Sequence, residues 1–209
     1  KPQEAPAKAT PAQMLNSLLN NGAIQQTLKS TLDKNAGAFA ASVMNLFNND
    51  TLLQQCEPRA VLAEALKAAA LKLPVEKQLG FAYIIPYKDH GVPKPQFQLG
   101  YKGYIQLAIR SGQYKKLNVL PIKQGELIHF NPLEEDIEVQ LIENEIDREN
   151  APTIGYYAMF EYINGFKKAI YWSKEKMESH AEKYSKGYQK RSGYTFWEKD
   201  FDGMACKTM

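Results

Sequence analysis

The side chains best equipped for chemistry in this sequence are lysines set among aromatic rings. Tyr101, Lys102, Tyr104, Arg110, Tyr114, Lys115 and Lys116 make one series. The stretch from Phe166 to Lys207 makes a second, with Tyr171, Trp172, Lys183, Tyr184, Lys186, Tyr188, Tyr194, Phe196, Trp197 and Lys199 inside it. Ammonium groups track a chain of phosphates and flat rings stack on bases, so this interleaving suits a single-stranded nucleic acid, with each stacked base worth roughly 1–3 kcal/mol. A solvated surface over core aromatics has the same pattern, and pattern alone leaves both readings open.

Other chemistries have weaker footing. Gly100-Tyr101-Lys102-Gly103 fits the GxxG with which KH domains clamp an RNA backbone, which makes an RNA-binding module one alternative. That loop joins two helices, however, whereas Gln96-Phe97-Gln98-Leu99 alternates like a strand. What survives is a pair of glycines permitting close backbone approach, with Lys102 at a helix N-terminus that favours an anion. The second alternative is a Mg²⁺-dependent nuclease built on Glu134-Glu135-Asp136 in the acidic segment 134–149. This segment instead has the character of a solvated loop, and no Glu-x-Lys element completes a nuclease site. His90, His129 and His180 stand alone without ligand spacing. No G-x-x-x-x-G-K-[ST] occurs, which removes the usual ground for expecting ATP use. There is no G-x-S-x-G and no cysteine with a neighbouring histidine to activate it. The expectation is a non-enzyme with no catalytic residue, metal or cofactor. Cys56 and Cys206, 150 residues apart, are expected to be reduced thiols of a cytosolic protein.

These groups need a scaffold. With 209 residues, 44% hydrophobic and 23% charged, the chain has the composition of one soluble globular domain, or one with a satellite. Folding a chain of this length buries roughly 70% of its extended surface, enough for a core without disulfide staples. Collagen-like, mucin-like and disulfide-scaffold classes are excluded, and no apolar run is long enough to span a membrane.

Residues 1–13, with Pro2, Pro6 and Pro11, read as a flexible leader without the apolar region of a signal peptide. A helical lobe is expected over 14–73. Its stripes are Met14/Leu15/Leu18/Leu19, Ile24/Leu28/Leu32 and Phe39/Val43/Leu46/Phe47, and a further helix runs from Pro58 until Pro74. An antiparallel core is expected over 74–209. Phe81 to Ile85 and Gln96 to Leu99 form strands joined by a long loop through Asp89 to Pro93, and Tyr101 to Arg110 forms a helix closed by Gly112. Strands follow at 117–122, 137–142 and 154–162, the last turning at Asn164-Gly165 into 166–172. Ser173 caps a helix from Lys174 to Tyr184, a loop runs to Thr195, and Trp197, Phe201, Met204 and Thr208 mark one last amphipathic helix. Helices followed by hairpins, without βαβ alternation, define the class as α+β. The last helix has no stop signal before Met209, so the expectation is a longer native chain.

The net charge of +3 conceals segregation. Residues 101–130 carry +4, residues 131–150 carry −7 and residues 165–209 carry +4.

Several runs are specific enough to place the chain. Leu79-Gly80-Phe81-Ala82-Tyr83-Ile84-Ile85-Pro86-Tyr87 followed by Gln96-Phe97-Gln98-Leu99-Gly100-Tyr101-Lys102-Gly103-Tyr104-Ile105-Gln106-Leu107-Ala108 resembles the RecT family of phage single-strand DNA annealing proteins. So do Gly155-Tyr156-Tyr157-Ala158, Asn164-Gly165-Phe166, Tyr184-Ser185-Lys186 and the closing Trp197 to Thr208, in order from about residue 14 to 209. The hairpin loop at 89–95 is longer than usual in the family, Gly187 to Thr195 looks inserted, and Cys206 stands where the family often has Lys. The resemblance implies an ATP-independent recombination protein in the cytoplasm of a bacterial host. It would coat single-stranded DNA, anneal it to its complement and assemble into rings or helical filaments with the strand in a basic groove. Its partners would be the DNA, the annealed duplex intermediate, further copies of itself, a phage exonuclease and a host single-strand-binding protein. Annealing leaves base edges open, so phosphate contacts should dominate. By motif position, Lys102, Arg110, Lys115, Lys183, Lys186, Lys199 and Lys207 are expected on phosphates. Gln96 and Gln98 are expected on sugar, phosphate or base edges, and Trp197 as a stacking ring or wedge unless it serves the core. Phe97 should pack inward, and Lys115 and Lys116 should point opposite ways on a strand.

Overall fold

A computed structural model describes residues 9–191 and 193–209, so the first part of the expected leader, residues 1–8, lies outside the described residues. Thr10 already caps a helix. Its hydroxyl accepts the Gln13 N–H while the Gln13 side chain accepts the Thr10 N–H, and Pro11 supplies the first-turn φ. Helix α1 (Pro11–Leu19) is followed by α2 (Gly22–Leu32), α3 (Ala36–Asn48) and α4 (Pro58–Ala70). The spacing predicted for each helix is the spacing of its buried side. Leu15 and Leu19, Leu28 and Leu32, Phe39, Val43, Leu46 and Phe47, and Val61, Leu62 and Ala65 form one core. Met14 falls outside it and is exposed.

Strands β1 (Ala82–Asp89) and β2 (Val92–Leu99) pair from Ala82↔Leu99 to Asp89↔Val92. The long loop expected here is a two-residue turn, with His90 and Gly91 both left-handed at φ 48° and 84°. Pro86, Pro93 and Pro95 disguise the strands, since proline normally interrupts a ladder; a two-stranded ribbon has a free edge on each strand and tolerates them. Ala82 and Ile84 bury in the helical core, Phe97 and Leu99 pack against it, and the Phe97 N–H donates to Glu64 Oε2 at 2.7 Å. A change of texture at Pro74 is therefore not a division of the structure. The first compact unit runs through Arg110 and the second from Ser111. Helix α5 (Tyr101–Ser111) closes the first, stopped by Gly112 at φ 65°.

The second unit continues with β3 (Tyr114–Lys123), β4 (Leu127–Asn131), β5 (Asp136–Val139), α6 (Glu145–Asn150), β6 (Thr153–Tyr162) and β7 (Lys167–Ser173). Helices α7 (Lys174–Tyr184), α8 (Lys186–Gln189), α9 (Phe196–Lys199) and α10 (Phe201–Thr208) follow. The main sheet has the antiparallel order β3-β6-β7, and β4 pairs with β5 separately. Tyr156, Met177, Ala181, Tyr188, Trp197 and Ala205 form its helix-side core. Three expectations change here. The acidic stretch, read as a solvated loop apart from a strand at 137–142, carries that strand as β5 at Asp136–Val139 and adds helix α6. The loop before Thr195 contains α8. The single last helix is broken at Asp200, whose backbone leaves the helical region (φ −146°, ψ 73°) and whose carboxylate accepts the Gly203 N–H at 2.9 Å to start α10.

The acidic stretch is ordered by Glu126, a fully buried carboxylate. It accepts the backbone N–H groups of Lys123 (2.7 Å) and Ile142 (3.1 Å), and the Arg148 Nε at 2.6 Å; Arg148 also donates to the Pro121 carbonyl at 2.9 Å. Burial pushes this carboxyl upward, but Arg148 and the two N–H groups outweigh it and hold it below its ordinary range. The architecture is α+β, and no helix among the described residues is long and apolar enough to cross a membrane.

Candidate nucleic-acid interface

In the first unit, strand alternation sorts the hairpin. Phe97 turns inward as expected, which leaves Gln96 and Gln98 exposed beside Lys94. Their cross-strand partners are Ile85, Tyr83 and Tyr87, so this face joins amide groups to tyrosine rings. Lys102, exposed in the first turn of α5, lays its methylenes against Gly80.

The GxxG glycines serve packing instead of a ligand. Gly100 donates to the Phe81 carbonyl at 2.9 Å, and a Cβ on it would strike the Gly80 carbonyl. A Cβ on Gly103 would strike the Phe81 carbonyl and the Leu99 side chain. Both glycines are buried at a strand–helix junction, so they offer no backbone clamp for RNA. Arg110 is also engaged. Its Nη1 donates to the carbonyls of Leu71 (3.1 Å) and Lys72 (3.4 Å), satisfying the carboxyl end of α4.

In the second unit, Lys115 donates to Glu161 at 2.6 Å, with Lys116 3.9 Å from the same carboxylate. A bulge between Tyr114 and Lys116 turns both lysines to one side, against the simple alternation expected. The Lys115 hydrogen bond holds the Glu161 carboxyl below its ordinary range.

Around α7 to α10 the lysines and rings meet as pairs. The Lys183 amine lies 5.1 Å from the Tyr184 ring centre, Lys199 5.9 Å from Tyr194 and Lys207 5.9 Å from Phe196. Tyr194 and Phe196 are 82% and 72% exposed, and Tyr184 is also exposed. Lys186 stands exposed at the start of α8. Trp197 corrects an expectation. At 9% exposure it packs edge-on against Phe201, centroids 5.2 Å apart, so it has no open face for a base. The open rings are its neighbours Tyr194 and Phe196, which belong to the second lysine–aromatic series but were not singled out for a contact. The signal was present: Trp197, Phe201 and Met204 form the inward stripe, and residues beside that stripe must face out.

Two hydrogen-bond sets hold these groups in place. Asp202 accepts from Tyr156 Oη at 2.6 Å and Thr153 Oγ1 at 2.8 Å, which docks α10 on the sheet. Burial first, then Asp202, pushes the Tyr156 phenol far above its ordinary range. Glu198 accepts the N–H groups of Gly193 (2.9 Å) and Thr195 (3.1 Å), which fixes the loop carrying Tyr194. Among the described residues no three His, Cys, Asp or Glu side chains converge to hold a metal, and Glu135 pairs with Lys168 at 2.8 Å.

Fold and surface together define an α+β protein that exposes cation–aromatic pairs on its second unit. The chain belongs to the RecT family, whose family model matches residues 37–209. It is 45% identical over 195 residues to the uncharacterized protein YqaK of Bacillus subtilis (strain 168), covering 93% of this chain and 64% of that protein. It is 27% identical over 160 residues to Protein RecT of Escherichia coli (strain K12), covering 75% of this chain and 56% of that protein. The chain thus spans less than two thirds of the length of these curated relatives.

Proposed function

We propose that this chain binds single-stranded DNA through its phosphate backbone and presents the bases to a complementary strand, as an ATP-independent annealing protein of homologous recombination. The observation that carries this reading is the set of three pairs Lys183/Tyr184, Lys199/Tyr194 and Lys207/Phe196, each a cation beside an exposed ring. Cations grip phosphates without reading sequence, and rings accept any base, which is what pairing two arbitrary complementary strands requires. Gln96, Gln98 and Lys102 supply a corresponding exposed set in the first unit. Membership of the RecT family supports the same reading. The fuller proposal includes assembly of many copies along the strand, with DNA delivered by an exonuclease in a bacterial cell that also holds a single-strand-binding protein.

Oligonucleotide binding measured against salt tests it. Neutralising about five phosphates gives a slope of log K on log salt near −3.5. Two complementary oligonucleotides should then pair faster with protein than without, with no nucleotide added. Binding that ignores salt, or labelled strands cut in Mg²⁺, would overturn the proposal.

A further inference from the structure

Helix α7 holds three lysines and three glutamates, so its charge sums to zero, but the two signs lie on different sides. At about 100° per residue, Lys176, His180, Lys183 and Tyr184 share an arc of roughly 100°. Glu175, Glu178 and Glu182 share a separate arc of roughly 60°. Met177 and Ala181, between the two arcs, are the side chains that α7 buries, so the core is filled without His180.

The positive arc carries a run of rings. His180 lies 5.4 Å from Trp172 and 4.6 Å from Tyr184, centre to centre. Trp172 is the anchored end: it stands opposite Tyr156 in the sheet register and packs against the buried cluster of its unit. Tyr184 is the open end, 65% exposed at the last residue of α7. A cation accompanies each end. The Lys176 amine lies 4.5 Å from the Trp172 ring centre, and the Lys183 amine 5.1 Å from that of Tyr184. Ordering an exposed side chain on binding ordinarily lowers affinity about two- to tenfold. Here the contact with His180 orders the Tyr184 ring in advance, and the contact with Trp172 orders His180.

We propose that Trp172, His180 and Tyr184 act as one ladder that seats a nucleobase of single-stranded DNA. The base stacks on the exposed Tyr184 ring, and His180 is the positioning residue that holds that ring ready. Lys176 continues the phosphate track past Lys183 to the Trp172 end. This inference rests on the DNA-binding reading and extends its interface to Trp172, Lys176 and His180.

Two probes separate the parts of the ladder: oligothymidine, and a sugar–phosphate chain of equal length that carries no bases. His180→Ala should weaken oligothymidine binding about threefold or more and leave the abasic chain at the parent affinity. His180→Phe keeps a ring against Tyr184 and should restore oligothymidine binding to within about twofold of the parent. Tyr184→Ala should weaken oligothymidine about fivefold or more. His180→Ala added to Tyr184→Ala should then lose nothing further, because His180 acts through that ring. Lys176→Gln should weaken both probes and flatten the salt slope by about 0.7. A parent chain that binds neither probe removes the DNA-binding reading and the ladder with it. Where the parent binds, four results remove the ladder alone: His180→Ala unchanged on oligothymidine, His180→Ala weakened equally on both probes, losses that add to those of Tyr184→Ala, or a Phe variant no better than Ala.

Discussion

A single position separates two roles in the Trp197 region. Trp197 faces the core and Phe196 faces solvent, and the pattern of rings in sequence is the same for both. Trp197→Ala should destabilise the fold by about 3–5 kcal/mol, seen as a lower denaturant midpoint, because it leaves a cavity among Tyr188 and Phe201. Phe196→Ala and Tyr194→Ala should leave that midpoint unchanged and weaken oligonucleotide binding by roughly 1–3 kcal/mol each if they stack on bases. Lys199→Gln has a different signature. Losing one phosphate contact should flatten the salt slope by about 0.7, whereas losing a ring should not. Anisotropy titrations at several salt concentrations distinguish these outcomes. If Trp197→Ala cost binding without stability, the burial-based assignment would be wrong.

Elements depend on a few buried polar and glycine contacts. Gly103→Ala would press a methyl on the Phe81 carbonyl, so helix α5 must shift from β1 and stability should fall by about 1–3 kcal/mol in a denaturant melt. The Glu126–Arg148 clasp makes the second unit acid-sensitive. Its carboxyl titrates lower folded than unfolded, so its stabilisation is fully present above the ordinary carboxylate range and is lost as pH falls through the lowered folded value. Arg148→Ala should cost roughly 3 kcal/mol at neutral pH, because Glu126 is then a buried charge without its partner, and this deficit should shrink on acidification. Thermal midpoints across pH check both the size and the sign. These contacts also mark what could be read in advance. Helical stripes, Ser173 as a cap and the Asn164-Gly165 turn were legible because each depends on neighbours in sequence. The β1–β2 turn was hidden by prolines that only a two-stranded ribbon tolerates, and α6 was hidden because its anchor, Glu126, lies 22 residues from Arg148.

At the scale of the whole molecule, net charge is a poor guide to what the chain binds. A total of +3 conceals an acidic segment of −7 at residues 131–150, and the cations assigned to phosphates lie in both compact units. The exposure of Lys183 and Lys186 was legible in the sequence because it depends on residue type. The bonding of Arg110 to the end of α4 and of Lys115 to Glu161 was not legible, since each partner is distant in the chain. A counterion-release mechanism depends on contacts made and not on total charge. Replacing Glu143, Glu145, Asp147 and Glu149 by their amides raises the net charge from +3 to +7 and touches none of the assigned lysines. Screening over about 8 Å at physiological ionic strength confines the effect of those acids to their own neighbourhood. The salt slope for oligonucleotide binding should therefore stay within about 0.5 of the parent value, with any gain in affinity confined to low salt. A slope that steepened by about 2–3 would mean that this acidic segment lies along the DNA path and that its acids had been excluding phosphates.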